Sequence, residues 1–141
     1  MGQQNVVVEL KGWKILPQIC YDLRFPVWSR NTGDKEGNGL YDMAFYIASW
    51  PASRIAAWDI LLKARAVENL SYVLGVNRTG TDGNDISYNG HSGVYDFLGR
   101  PLAFSEDKEE TLYAELDFQR LAEFRKAFPA WKDADKFRME R

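Results

Sequence analysis

At 141 residues the chain fits one domain of ordinary size, and a composition 45% hydrophobic and 14% aromatic is enough for a substantial core. A formal net charge of -2 with no basic stripe argues against a nucleic-acid partner, and no apolar run approaches the length needed to cross a bilayer. Residues 1–10 carry no basic segment followed by an apolar one, so no signal peptide is expected, and a single cysteine suits a reducing compartment; the reading is a soluble, cytoplasmic protein.

Residues 6–10 are β-rich and short, and Lys11-Gly12 turns the chain. Residues 13–19 are nearly continuous in apolar side chains after Lys14, which predicts a strand covered on both faces. Residues 34–39 form a loop by composition. Residues 43–48 repeat the buried-strand pattern, and Trp50-Pro51 stops it. Ser53 is placed to cap a helix that runs to about Asn69. In that helix Ala57, Ile60, Leu61, Ala64 and Val67 share one face, while Arg65 and Glu68, three apart, pair on the surface. A strand at 71–76 follows, and 79–84 is the most turn-rich stretch, expected as a surface loop. Residues 93–97 predict a strand, 98–101 a turn, 101–104 a short strand and 105–110 a charged turn. Residues 111–117 alternate apolar and polar positions, as a half-buried strand would. A last helix spans roughly 118–128 and ends at Pro129; Trp131 and Phe137 are the aromatic anchors of a polar tail. The order implies a layered α/β or α+β fold. Two buried-type strands need cover on two faces, yet two good helices are predicted, so part of the cover is expected from outside the chain.

Cys20 ends the apolar run, and Asp22, Arg24 and Pro26 follow at once. A lone thiol serves either packing or reactivity. Charged and rigid residues directly after it suit a functional turn rather than the middle of a core strand. A thiolate attacks well only if a base or a positive field lowers its pKa. The sole histidine, His91, makes a Cys–His pair available by count; a histidine satisfied by local hydrogen bonds is the alternative. One cysteine and one histidine do not make a tetrahedral metal set, so no metal site is expected.

The stretch Ile19-Cys20-Tyr21-Asp22-Leu23-Arg24-Phe25-Pro26 resembles the nucleophile motif of the nitrilase superfamily of carbon–nitrogen hydrolases. Ala44-Phe45-Tyr46-Ile47-Ala48-Ser49-Trp50-Pro51, Lys63-Ala64-Arg65-Ala66-Val67-Glu68-Asn69, Gly75-Val76-Asn77-Arg78 and Gly90-His91-Ser92-Gly93 agree with it in order. Phe128-Pro129-Ala130-Trp131-Lys132-Asp133-Ala134-Asp135 is similar to the bacterial ω-amidase-like branch. The resemblance implies an α/β fold that is a portion of a four-layer α-β-β-α sandwich. It places residues 1–141 as the C-terminal part of a single hydrolase domain, with 120–141 its C-terminal helix and tail. It implies a Glu-Lys-Cys triad in which Cys20 is the nucleophile and Tyr21 lends its backbone N–H to the oxyanion, with no cofactor. The substrate it implies is a small linear ω-amide, and the assembly a homodimer paired through outer helices.

The candidate substrate-binding residues are Trp50, Arg24 and Asn77. Trp50 lines the acyl pocket or packs as a core aromatic. Arg24 steers a substrate carboxylate or pairs with a nearby acid to hold the loop after Cys20. Asn77 closes a strand and orients the site. In the family the glutamate and lysine lie well before the cysteine. Here nineteen residues precede Cys20, and Glu9, Lys11 and Lys14 sit in or beside strands, too near in sequence to stand in. The partners are therefore expected from sequence outside the chain. The alternatives are an inactive split or truncated half with a structural role, and a self-contained Cys20–His91 thiol hydrolase.

Overall fold

The computed structural model describes residues 4–34, 36, 38–135 and 137. In chain order the elements are β1 (Val8–Leu10), β2 (Trp13–Ile19), β3 (Met43–Ala48), α1 (Ile55–Glu68), β4 (Tyr72–Asn77), β5 (Thr79–Thr81), β6 (Ser87–Asn89), β7 (Ser92–Tyr95), β8 (Pro101–Ser105) and α2 (Phe118–Ala127). Short 3-10 turns at Cys20–Arg24, Ala52–Arg54 and Ala130–Asp133 join them.

Six strands form one mixed sheet in the order β1-β2-β3-β4-β7-β8. Leu10 pairs with Trp13 across a two-residue turn, and Lys11 and Gly12 both adopt positive φ (49° and 81°), the geometry that matches strand twist in tight hairpins. β2, β3 and β4 run parallel, with α1 as the crossover between β3 and β4. β7 and β8 extend the sheet antiparallel. This is the mixed α/β arrangement expected.

One face of the sheet is the core. Leu16, Ala44, Tyr46 and Val73 point to it and are closed over by Trp58, Leu62 and Ala66 of α1. α1 lies so near β4 that a Cβ on Gly75 would sit 2.4 Å from a Leu62 methyl; only glycine admits the contact. The other face is covered at one end. There Tyr72, Phe97 and Leu121 form a second cluster with Trp13, Met43, Leu116 and Phe124 beneath α2. Arg125 of α2 secures it, donating to Asp42 (2.7 Å) and to the carbonyls of Tyr41 and Leu70 (2.8 Å each), all buried. At the other end Ile19, Ile47 and Val76 lie in register on adjacent strands and stay 72%, 56% and 53% exposed. The two-sided cover expected for residues 13–19 and 43–48 is thus only partial.

Four expectations are corrected. The helix cap is Arg54, after a 3-10 turn that contains Ser53, and no side chain caps it. The buried stripe of α1 is Trp58, Leu62, Arg65 and Ala66, whereas Ile60 and Val67 are exposed. The helix is apolar nearly all round, so periodicity alone selects no face. Residues 79–84 are not wholly loop: β5 begins there and pairs with β6 as a separate hairpin. Residues 111–117 form no strand; among the described residues they have no ladder partner, Tyr113 is 86% exposed, and Leu116 turns inward to the second cluster. The aromatic anchors of the tail do dock: the Arg125 guanidinium lies 5.3 Å from the Trp131 ring and Arg30 lies 4.9 Å from that of Phe137. Tail residues 136 and 138–141 lie outside the described residues.

Candidate active site

Three parallel strands bring their carboxyl ends to one edge. β2 leads directly into Cys20, β3 into Ser49 and Trp50, and β4 closes on Asn77, which pairs with Ala48. Crevices at the carboxyl ends of such strands are where open α/β sheets bind ligands.

Cys20 opens the 3-10 turn with φ of 42°, in the left-handed region that side chains disfavour by roughly 1–2 kcal/mol. Such a sharp strand-to-helix bend lifts a side chain off the sheet edge. The thiol is half-buried, and its sulfur lies 3.9 Å from the Ser49 carbonyl oxygen. Neighbours hold the turn. The Asp22 carboxylate accepts the Ile19 N–H at 3.0 Å, and Leu23 is fully buried. The Leu23 carbonyl accepts from Arg65 Nη2 at 2.5 Å, and Arg65 Nη1 donates to Glu68 at 2.9 Å. The Arg65–Glu68 pair forms as expected, but Arg65 is buried and ties α1 to the Cys20–Arg24 turn.

Beside the sulfur opens a cleft of about 280 Å³ lined by Cys20, Tyr21, Arg24, Ser49, Trp50, Pro51 and Arg54. Trp50 is buried, its ring 5.5 Å from that of Trp58 and its indole N–H donating to the Arg54 carbonyl at 2.8 Å. Arg24 lies over the Trp50 ring, 4.9 Å from its centroid, and forms no ion pair among the described residues. Its loop-holding partner is thus an indole, not the acid that was one expectation. Tyr21 projects outward with its ring edge-on to Phe25.

Asn77 stands behind the cleft and is not part of its lining. Its side-chain Oδ1 accepts the Trp50 N–H (2.7 Å), and its side-chain Nδ2 donates to the Trp50 carbonyl (3.0 Å) and the Gly90 carbonyl (2.8 Å). With these groups engaged, it fixes the Trp50 wall rather than a ligand. His91 is also accounted for. Its Nδ1 faces both carboxylate oxygens of Asp59 at 2.9 and 3.1 Å, and its ring meets Phe104 edge-on. The Cys20–His91 pair is not formed.

The β5–β6 hairpin packs against the Ala52–Arg54 turn at the cleft's side. Backbone N–H groups of Asn84 and Ile86, then the Tyr88 hydroxyl, hold the Asp82 carboxyl below its ordinary range. Arg78 covers the Tyr88 ring at 4.6 Å. No glutamate or lysine lines the cleft among the described residues. Lys14, at the far end of β2, is six strand residues from Cys20, roughly 20 Å. Among the described residues no group of three or more His, Cys, Asp or Glu side chains is placed to hold a metal ion, and no helix is long and apolar enough to cross a membrane.

The family model for carbon-nitrogen hydrolases matches residues 1–126. The chain belongs to the carbon-nitrogen hydrolase family. The chain is 50% identical over 139 residues to the omega-amidase YafV of Escherichia coli, covering 98% of this chain and 52% of the relative. It is 40% identical over 135 residues to the 2-oxoglutaramate amidase of Bacillus subtilis, covering 96% and 50%. It superposes with a TM-score of 0.94 and 46% identity on the crystal structure of XC1258 from Xanthomonas campestris, a CN-hydrolase superfamily protein with an arsenic adduct in the active site, covering 99% of this chain and 53% of that one. The chain spans about half the length of the curated relatives it matches. The nitrilase-type fold implied by the sequence is therefore the fold observed.

Of the residues singled out in the hydrolase sequence, Cys20, Tyr21, Arg24 and Trp50 meet in one cleft, and Asn77 supports it from behind. Ser49, Arg54 and Arg65 were missed as site residues. Arg54 carried a legible signal, a cation four residues after the strand-ending tryptophan. Arg65 carried none, because a buried arginine looks the same in sequence as an exposed one.

Proposed function

We propose that this chain supplies the nucleophile of a thiol-dependent amidohydrolase acting on small linear ω-amides. The observation that carries the reading is the Cys20 sulfur, held at positive φ on the sheet edge and opening onto a cleft. The names of the relatives, omega-amidase and 2-oxoglutaramate amidase, support the substrate class.

In the proposed reaction the Cys20 thiolate attacks the amide carbon, and the carbonyl electrons move onto oxygen. The Tyr21 N–H, which starts a helical turn and so lacks an intrahelical partner, donates to that oxyanion. Collapse expels the protonated amine as ammonia and leaves a thioester. Water then adds to the thioester, the thiolate departs, and a carboxylate is released. A glutamate base that shuttles these protons and a lysine that steadies the oxyanion come, in this reading, from sequence outside the 141 residues. The reaction as written uses no cofactor. Arg24, stacked on Trp50, faces the substrate's acid end. The protein is read as a cytoplasmic homodimer, a pairing supported by exposed Ile60 and Val67 on α1.

The test is Cys20→Ala in the assembled enzyme, meaning this chain with the segment that provides the glutamate and lysine. Amide hydrolysis falls to background while the circular dichroism spectrum is unchanged; retained turnover removes Cys20 as nucleophile. A second reading, an inactive structural half, is favoured by the absence of glutamate and lysine from the cleft lining among the described residues. Ammonia release by the isolated chain is expected to be negligible, and turnover that appears only on assembly decides for the enzyme.

A further inference from the structure

The chain is acidic overall, with a net charge of -2, yet its cleft is cationic. Arg24 and Arg54 both line it, with no carboxylate among the described lining residues. Neither guanidinium forms an ion pair among the described residues. Two unneutralised cations around one reactive sulfur create a local field opposite to that of the molecule, and such a cleft concentrates anions.

The two arginines differ in how they are held. Arg24 lies over an indole, 4.9 Å from its centroid, and with no carboxylate paired to it among the described residues its guanidinium can meet one from a ligand. Arg54 is fixed through its backbone. Its carbonyl accepts the Trp50 indole N–H at 2.8 Å, and its N–H donates to the Pro51 carbonyl at 3.0 Å. Its side chain is exposed at the cleft. Trp50 thus carries one arginine on its ring and tethers the other through its ring nitrogen.

We propose that Arg54 is a second anion-recognising residue, acting with Arg24 on the carboxylate of an acid-tailed amide. It rests on the amidohydrolase reading and sharpens it. Within the ω-amide class already proposed, Arg54 sets the preference for a carboxylate-tailed amide over a neutral amide of similar length.

The experiment compares glutaramate with hexanamide in the assembled enzyme, before and after Arg54→Gln. The ratio of kcat/KM values for the two amides falls about tenfold or more, chiefly through KM for glutaramate, as the loss of one charge-assisted contact requires. Arg54→Lys keeps most of the ratio, because the charge remains. An unchanged ratio in Arg54→Gln overturns the proposal. In the unsubstituted protein, glutarate slows alkylation of Cys20 by iodoacetamide, and rising salt weakens that protection. Protection that ignores salt, or none at all, also overturns it, whether or not the variants fold. Turnover with an unchanged ratio fails Arg54 alone. Salt-sensitive glutarate protection without amide turnover fails the amidohydrolase reading and leaves the anion site standing.

Discussion

Arg65 joins two parts of the molecule that sequence keeps apart. Its guanidinium spans from Glu68 on its own helix to the Leu23 carbonyl, three residues past Cys20. Arg65→Met leaves that buried carbonyl without its donor, and an unmet buried acceptor together with a lost ion pair costs roughly 2–4 kcal/mol. Under the proposed function, the lower urea midpoint comes with a fall in the assembled enzyme's kcat larger than any change in KM, because Arg65 is buried behind the turn and lies outside the cleft lining. Asn77→Ala acts behind the Trp50 wall, where three hydrogen bonds to backbone are lost at once. Tyr95 gives a pH response. It is fully buried, and burial, then the charge of Asp59, pushes its phenol up to about 12. The unfolded phenol ionises near its ordinary value of about 10. The folded state therefore holds its proton longer, and this contribution is complete below pH ~10 and lost between ~10 and ~12, about 1.4 kcal/mol per pH unit. Urea midpoints that fall across that window in the native protein, and fall less in Tyr95→Phe, are the expected result.

At the scale of elements, the contact that sets the layer spacing is α1 on β4. A Cβ at Gly75 would meet Leu62 at 2.4 Å and Trp58 at 2.8 Å, so Gly75→Val drives the helix off the sheet. Overpacking of this kind costs about 1–3 kcal/mol or more, read as a lowered thermal midpoint. β2 and β3 were legible to the residue: β2 is nearly continuous in apolar side chains between the Lys11-Gly12 turn and the polarity reversal after Cys20, and β3 is an unbroken apolar run stopped by Trp50-Pro51. The turn at Cys20–Arg24 was legible because the polarity reversal at Cys20 is abrupt. α1 was legible in extent but not in orientation, since Ile60 and Val67 are as apolar as the residues it buries. The β5–β6 hairpin was hidden by its own turn-rich composition, and its strands of three residues are too short to show alternation. Residues 111–117 misled in the opposite sense: alternation offers a strand two faces, but only a neighbouring edge makes a ladder. Arg24 on Trp50 and the Asn77 clamp depend on packing across tens of residues, and no local pattern encodes them.

For the whole molecule, the row Ile19, Ile47 and Val76 is the open question of assembly. An apolar sheet face left to water favours association, and a charge placed within it opposes burial. The isolated chain is expected to sediment as more than one species, and Ile47→Glu to shift it toward monomer. The global stability also carries a contribution from the backbone at Cys20. Glycine adopts φ of 42° freely, whereas every other residue is strained there. Cys20→Gly therefore removes roughly 1–2 kcal/mol of native-state strain, against roughly 0.5–1 kcal/mol of added unfolded-chain entropy. A dead protein with a melting temperature at or above that of its living parent would be the thermodynamic signature of a fold that keeps its sulfur aimed by holding one dihedral where it does not want to rest.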